Sequence, residues 1–437
     1  MIDYRNLKIA ILGGGTVGAN VVDLLTRHRE ELEARVGAGL EVIGVAVRSL
    51  DAERKPAIPR ELLTTDAESL ITSADIVVEL IGGIEPARSY ILAALNSGAD
   101  VITANKALLA THGPELFDTA AQLGAQLYYE AAVAAAIPII RPLRESLAGD
   151  RVRRILGIVN GSTNYILDRM DVDGMSAEDA QRIALELGYL EADPTLDVEG
   201  FDAAQKAAIL ASLAFHTHVP LEAVHREGIM GITGDDVASA KAAGYVVKLL
   251  AIAERIDTED GEGIVARVHP ALVPRSHPLA AVHGGNNAVF VEAEFAGPLM
   301  FYGAGAGGVQ TASAVLGDIV SAARRHLAGG PGVGESTSAD VAVLPFDVVS
   351  TRYQITLEVS DRPGVLATIA GIFAEAGVSI ETASQSTSSA GDASDPTATL
   401  VIVTHRARES DLAATVAALE CSSSVARVSS VIRVEGL

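Results

Sequence analysis

Leu7-Lys8-Ile9-Ala10-Ile11-Leu12-Gly13-Gly14-Gly15-Thr16-Val17-Gly18 sets the class of this chain before anything else in it is read. Leu7–Leu12 is a short, nearly continuous apolar run, the pattern of a parallel strand buried on both faces. The turn after it carries the spacing G-x-G-x-x-G at Gly13, Gly15 and Gly18, with Thr16 and Val17 inside it. Val21, Leu24, Leu25 and Leu32 then recur at helical spacing. The glycines have separate tasks: Gly13 permits the tight turn, Gly15 lets a pyrophosphate approach the backbone, and Gly18 lets the helix pack on the strand. The helix N-terminus then faces the phosphates. Alone, such a motif is weak; here a strand precedes it and a helix follows. Further alternation supports it, with strands near 41–48, 75–81, 100–104 and 126–131 and helices near 86–97 and 114–123. The expectation is an α/β chain that opens with a Rossmann-type dinucleotide-binding domain.

Cofactor choice is read at the end of the second strand, Ala46-Val47-Arg48-Ser49. NAD-selective sites carry Asp or Glu there for the ribose hydroxyls, whereas an arginine suits a 2′-phosphate. Arg48 therefore favours NADP(H), with Arg54 and Lys55 in reserve; NAD(H) stays open if Arg48 is only a surface residue. Thr103-Ala104-Asn105-Lys106 closes the fourth strand, and ligands bind at strand C-termini in such sheets. Lys106 there can lie beside nicotinamide and substrate, or simply start a surface helix.

Residues 188–206, GYLEADPTLDVEGFDAAQK, carry the chemistry. Glu191, Asp193, Asp197, Glu199 and Asp202 are followed by Lys206, which at i,i+4 shares a helix face with Asp202. Carboxylates can hold an ammonium group while an amine moves a proton at a neighbouring oxygen. The plain alternative is a solvated acidic loop followed by an ordinary ion pair.

A chain of 437 residues implies two or three domains. Its 56 acidic and 33 basic residues, a net charge of −23, argue against nucleic acid or an anionic membrane surface as partner. A single cysteine, Cys421, allows neither an internal disulfide nor a cysteine-cluster metal site. The opening residues lack a signal-peptide pattern and no long apolar span follows, so a cytoplasmic protein is expected. His216, His218 and His225 are read as satisfied or exposed side chains rather than metal ligands.

Beyond residue 138 no further nucleotide-type glycine turn occurs. Val152–Val159 is strand-like, 177–188 and 202–215 are helical, Val237–Ile256 reads as another helix, and strands are expected at 264–268 and 288–295. This predicts an α+β substrate and dimerisation domain, with an open sheet that also pairs subunits. Gly303–Gly308 is a glycine-rich loop before a helix from about Thr311 to Leu327, and reads either as a hinge or as a ligand loop. Ala328–Asp340 has the composition of a linker. After it come a strand at Tyr353–Val359, the turn Asp361-Arg362-Pro363-Gly364-Val365-Leu366, a helix to about Ala376 and a strand at Val378–Ala383. Thr397–Thr404, Ser410–Leu419 and Val425–Arg433 complete a β-α-β-β-α-β order, with Ser386–Asp395 as a mobile hairpin loop. The expected organisation is 1–137 for the nucleotide domain, completed by a helix near 309–327, 138–308 for the substrate domain, 328–345 as linker and 350–437 as a C-terminal module.

The segments GGGTVG, TANK, YEAAVAAAIPII (129–140), NGSTNYIL (160–167), GYLEADPTLDVEGFDAAQK and FYGAGAGGVQTASAVLGDIV (301–320) together resemble the homoserine dehydrogenases of the longer bacterial type, which carry an ACT domain. The resemblance covers essentially the whole chain; its acidic segment ending in lysine is specific, its glycine motif is not. It implies reversible reduction of aspartate 4-semialdehyde to homoserine, on the route to threonine, methionine and isoleucine. It further implies Lys206 as proton donor, with Glu191 and Asp202 holding the substrate's amino group and hydroxyl. Gly188 would lie at the same pocket, Asp197 would be a supporting carboxylate, and Lys106 would contact cofactor and substrate. Gly303 and its loop would return to the cofactor. A sodium or potassium ion would map to Glu130, Val133, Ala135 and Ile137, mostly through carbonyls, with Ala135 where the family often has glycine. The D-R-P-G-V-L turn makes the C-terminal module resemble an ACT domain, implying pairing into a dimer or tetramer and an amino-acid effector such as threonine; dimerisation without ligand is the other reading.

Two other classes suit the sequence less well. An acyl-enzyme semialdehyde dehydrogenase needs a nucleophilic cysteine, and Cys421 lies in the C-terminal module. A non-catalytic nucleotide- and amino-acid-binding sensor would have little use for Lys206 and its acidic surround.

Overall fold

The computed structural model describes residues 6–190, 193–259, 261–329, 334, 339–387 and 397–436. They form two compact units, one of Met1–Gly161, Asp202–Val224 and Gly285–Val341, the other of Ser162–Phe201, His225–Gly284 and Ala342–Leu437.

The first unit is built on a six-stranded parallel sheet of β1 (Leu7–Leu12), β2 (Leu40–Ala46), β3 (Leu63–Thr64), β4 (Ile76–Glu79), β5 (Asp100–Thr103) and β6 (Leu127–Tyr128). Their spatial order is β3-β2-β1-β4-β5-β6, so the chain reverses direction across the sheet between β1 and β4. Such a switch point opens a crevice at the strand C-termini, and the glycine turn leaves β1 there. Ile9, Ala10, Ile11 and Leu12 are fully buried, as a strand covered on both faces requires. Helix Thr16–Arg27 follows, and the later helix Gly308–Ala328 joins the same core through Ala312, Val315, Ile319, Ala322 and Ala323. Small residues allow that close approach: a Cβ on Gly308 would sit 2.6 Å from Thr16 Cγ2.

The helix expected near 114–123 is the second half of Lys106–Leu123. Pro114 lies inside this helix, and Asn105 caps its start by accepting from Leu108 N at 3.2 Å. Val152–Ile158 pairs antiparallel with Asn286–Ala293, and that strand with Gly297–Ala304, which completes this unit's described strands. Gly303 and Ala304 are thus the end of a strand rather than loop. Helix Phe201–Phe215 buries Ala203, Ala204, Ala207, Ala208, Ala211 and Ala214, so it is apolar nearly all round and carries Asp202 and Lys206 into the interior.

In the second unit the expected helix at 237–256 is overturned. Gly234–Ala242 is helical, and Tyr245–Thr258 is a strand paired antiparallel with Gly261–Pro274. Gly244, at φ +84°, ends the helix, and Val246–Ala253 is buried on both faces. A strand covered on both sides shows no alternation, so a long apolar run reads equally as buried helix. The C-terminal module has the expected β-α-β-β-α-β order, with sheet order Val425–Val434, Ser350–Ser360, Thr397–Thr404, Ile380–Thr387. Helices Val365–Glu375 and Glu409–Glu420 cover it through Ile369, Phe373, Leu412 and Leu419. Its last strand also runs parallel to Gly261–Pro274, pairing Ala271 with Arg433 and Leu272 with Val434. Most of the expected hairpin loop, 388–396, and the linker residues 330–333 and 335–338 lie outside the described residues. Among the described residues, no helix is long and apolar enough to cross a membrane.

Candidate active site

Asp202 and Lys206 sit one helical turn apart and almost wholly buried. Lys206 Nζ donates to Asp202 Oδ2 at 2.8 Å and to the Val159 carbonyl at 2.6 Å. Asn160, two residues after the strand Val152–Ile158 ends, donates from Nδ2 to the same Oδ2 at 2.9 Å. The other carboxylate oxygen, Oδ1, lies 3.1 Å from Lys106 Nζ, which is partly open to solvent. One carboxylate therefore holds two lysines from distant parts of the chain. Burial pushes the Asp202 carboxyl upward, but the ammonium groups of Lys206 and Lys106 and the bonds from Lys206 and Asn160 outweigh it. They hold it down at about 2.

Lys106 is placed by a pinned turn. Glu79, at the end of β4 and fully buried, accepts from Ile81 N at 2.7 Å, Gly82 N at 3.1 Å and Thr103 Oγ1 at 2.6 Å. Thr103 Oγ1 in turn accepts from Asn105 N at 3.0 Å, and Asn105 Nδ2 donates to Gly83 O at 2.6 Å. The backbone at the first helical residue, Lys106, is thereby held in place.

The glycine turn is sterically committed. At Gly13, φ +111°, a Cβ would lie 2.6 Å from Leu80 O. At Gly18 a Cβ would collide with the Gly13 carbonyl oxygen, whereas Gly15 faces open space. Gly14, Gly15, Thr16, Glu53, Arg54 and Lys55 line a cleft of ≈ 380 Å³. Arg48 is exposed and does not line that cleft. Arg54 is steadied there by donating to Ala52 O and Ser49 O.

Glu130, Val133, Ala135 and Ile137 share one buried stretch, with Val133 in the short helix Ala131–Ala134 and the others in the loop ends that flank it. The Glu130 carboxylate is committed to Ile139 N at 2.6 Å, Ile140 N at 2.7 Å and Arg141 N at 3.0 Å. Its own amide donates to Asp318 Oδ2 at 3.0 Å, and Asp318 Oδ1 accepts from Arg141 at 2.8 Å. Burial pushes the Asp318 carboxyl up to about 6 despite Arg141. Ala135 takes φ +50°, a conformation L-residues rarely hold. Gly303 packs on this loop, where an added Cβ would lie 3.2 Å from Ile137 Cγ1.

Two remaining candidates lie in the other unit. Gly188, φ +77°, ends the helix Ala177–Glu186, and its turn is held by Ser162 Oγ donating to Tyr189 O and by Tyr165 stacked on Tyr189. Asp197 lies in the short helix Thr195–Val198. Glu191 lies outside the described residues. Sequence reasoning missed Asn160 and Glu79 as site residues. Asn160 opens the quoted segment NGSTNYIL, a usable signal; Glu79, inside an apolar strand, gave away nothing except being a lone carboxylate there. Of the three histidines, His225 has local partners: its Nε2 lies 2.8 Å from Glu227 Oε1 and its ring stacks on Phe346, while His218 is exposed.

Comparison with known families fits this geometry. Residues 13–130 match the family described as homoserine dehydrogenase, NAD binding domain; residues 138–320 match homoserine dehydrogenase; residues 353–420 match the ACT domain. A homoserine dehydrogenase of Corynebacterium glutamicum is 52% identical, with 98% of this chain and 95% of the relative covered. One from Mycobacterium tuberculosis is also 52% identical, over 99% of each. The solved homoserine dehydrogenase of Thiobacillus denitrificans superposes with a TM-score of 0.92 at 40% identity, covering 99% of both chains. A hyperthermophilic archaeal homoserine dehydrogenase in complex with NADPH is similar over 75% of this chain and 99% of its own, at 29% identity and a TM-score of 0.62. With its nucleotide-binding sheet, buried lysine–carboxylate pair and C-terminal β-α-β-β-α-β module, the chain belongs to the homoserine dehydrogenases, NAD(P)-dependent oxidoreductases of amino-acid biosynthesis, in the form that carries an ACT regulatory domain.

Proposed function

We propose that the chain catalyses reversible, NADPH-dependent reduction of L-aspartate 4-semialdehyde to L-homoserine at Lys206. The observation that carries this is the Asp202 carboxylate shared by Lys206 and Lys106. The bound cofactor supplies the hydride. As charge develops on the aldehyde oxygen, Lys206 gives it a proton, and in the reverse direction takes the hydroxyl proton of homoserine. Asp202 orients both amines, and with Glu191 takes the substrate's amino group and hydroxyl; Gly188 and Asp197 are the remaining substrate-site candidates. Lys106 would contact both substrate and cofactor. Gly13, Gly15, Thr16, Val17 and Gly18 hold the pyrophosphate, and Gly303 completes the cofactor site. Arg48 was the sequence choice for the 2′-phosphate; the cleft lined by Arg54 and Lys55 supports those two beside it. The NADPH complex of the archaeal relative favours NADP(H), with NAD(H) as the lesser substrate.

A sodium or potassium ion fits the loop through the carbonyls of Glu130, Val133, Ala135 and Ile137, since the Glu130 carboxylate is committed to backbone amides. We further read 1–137 with the 309–327 helix as cofactor domain, 138–308 as substrate domain, 328–345 as linker and 350–437 as regulatory module, in a cytoplasmic homo-oligomer answering to threonine. Lys206→Ala tests the central assignment. Turnover should fall about a hundredfold or more while NADPH still binds in a fluorescence titration. Near-normal turnover would remove Lys206 from the chemistry.

A further inference from the structure

Arg433, on the last strand of the C-terminal module, is almost fully buried although it is a surface type of residue. Its guanidinium donates to Glu409 Oε1 at 2.5 Å and to Glu227 Oε2 at 2.7 Å, and it lies over the rings of Phe346 and Tyr353. Glu409 and Tyr353 belong to the module; Glu227 does not. Glu227 follows the short strand His225–Arg226, and its amide donates to Val268 O at 2.7 Å. Burial pushes the Glu227 carboxyl up, but His225 and Arg433 hold it down at about 2.

From Glu227 the contacts continue toward the acidic segment. Arg226 donates to Glu199 O and its guanidinium lies 3.4 Å over the Phe201 ring. Gly228 is pressed so closely on Val198 and Glu199 that a Cβ there would collide with their backbone. Ile229 N donates to Val198 O at 2.8 Å. Phe201 is the first residue of the helix whose next residue is Asp202 and whose next turn holds Lys206. Each step is an ion pair, a hydrogen bond, a stacked cation or backbone packing.

We infer that Arg433 and Glu227 are positioning residues: their buried pair transmits the setting of the C-terminal module, through residues 226–229 and 198–201, to the start of the helix that carries Asp202 and Lys206. This rests on the assignment of Lys206 as proton donor. The role is distinct from ligand binding in the module, since none of these residues lines the cavity at Val359–Leu366.

The test uses full-length Arg433→Met, Glu227→Gln, the double variant and Arg433→Lys, with Lys206→Ala in the same series. Coupling between sites typically changes a response about 5- to 150-fold. Arg433→Met and Glu227→Gln should each lower kcat/KM for homoserine about tenfold, while KM for NADP⁺ stays at the wild-type value. The double variant should be no worse than the poorer single one, because both break one route. Arg433→Lys, which keeps a cation within reach of Glu227, should recover most of the loss. If Arg433→Met does not fold, isosteric Glu227→Gln still decides. Wild-type homoserine kinetics in the folded variants, additive losses, or an equal rise in KM for NADP⁺ would overturn the coupling. An inactive Lys206→Ala beside a fully active Glu227→Gln would sink the coupling alone. A fully active Lys206→Ala would sink the site assignment and the coupling with it.

Discussion

Asp202→Asn isolates the charge at the centre of the site. Asparagine keeps the volume and one acceptor oxygen but removes the negative charge shared by Lys206 and Lys106. In the folded chain the Asp202 carboxyl is held at about 2, against an ordinary value of 3.8. A difference of about 1.8 pH units, at about 1.36 kcal/mol each, corresponds to about 2.4 kcal/mol of stabilisation from the ionised form. Because the folded value is the lower one, this contribution is present in full well above pH 3.8 and is lost as pH falls through about 2. About half should remain near pH 3. Urea unfolding is the assay, followed by circular dichroism and by tyrosine fluorescence, since the chain has nine tyrosines and no tryptophan. The variant should be less stable by about 2 kcal/mol at pH 7, with the gap about halved near pH 3 and closing as pH falls through about 2. Its apparent constant for homoserine should rise as well. A gap below about 0.5 kcal/mol at pH 7, or one unchanged by acid, would show that the two lysines do not stabilise this carboxylate.

Other perturbations test neighbouring parts of the argument. Gly18→Ala forces a Cβ onto the Gly13 carbonyl, a backbone atom that cannot swing aside, so it should cost about 1–3 kcal/mol. NADPH affinity should fall with it; unchanged affinity in a fluorescence titration would mean that the turn yields. Ala135→Gly should release strain of about 1–3 kcal/mol against an entropy cost of about 0.5–1 kcal/mol, a net gain of about 1 kcal/mol. A melting temperature that does not rise would show that Ala135 is unstrained. Arg54→Ala should reduce efficiency with NADPH more than with NADH, and more than Arg48→Ala does, because only Arg54 lines the cleft. Equal ratios in both variants would place the 2′-phosphate elsewhere. Since all candidate catalytic residues precede the linker, a chain ending near Gly330 would be expected from sequence to stay folded and active. The structure argues otherwise: fully buried Arg267 pairs with Glu435 at 2.9 Å, and truncation leaves that charge with Glu254 alone among its described partners. The truncated chain should unfold at least several degrees lower, as checked by calorimetry; an unchanged melting temperature would make the module a free appendage.

What could be read in the sequence is what short-range rules govern. The run Leu7–Leu12, the glycine spacing and the helix after it are one local unit, and each glycine's task follows from backbone sterics within a few residues. Asp202 and Lys206 are likewise neighbours by helix geometry alone. The C-terminal module was legible because its strands alternate and its turns carry Gly and Pro. The strand Tyr245–Thr258 was misread because burial on both faces erases the alternation that marks a strand. Tertiary structure alone decided that Lys106 shares Asp202 with Lys206, that Asn160 donates to the same oxygen, and that Glu79 pins the turn before Lys106. It also decided that the module's last strand pairs with Gly261–Pro274, whose Arg267 meets Glu435, and that Arg433 on that last strand meets Glu227. These pairings join residues far apart in the chain, and a buried charge is tolerated only where folding brings its partners to it. No periodicity records that requirement, because it arises only once the water has been removed.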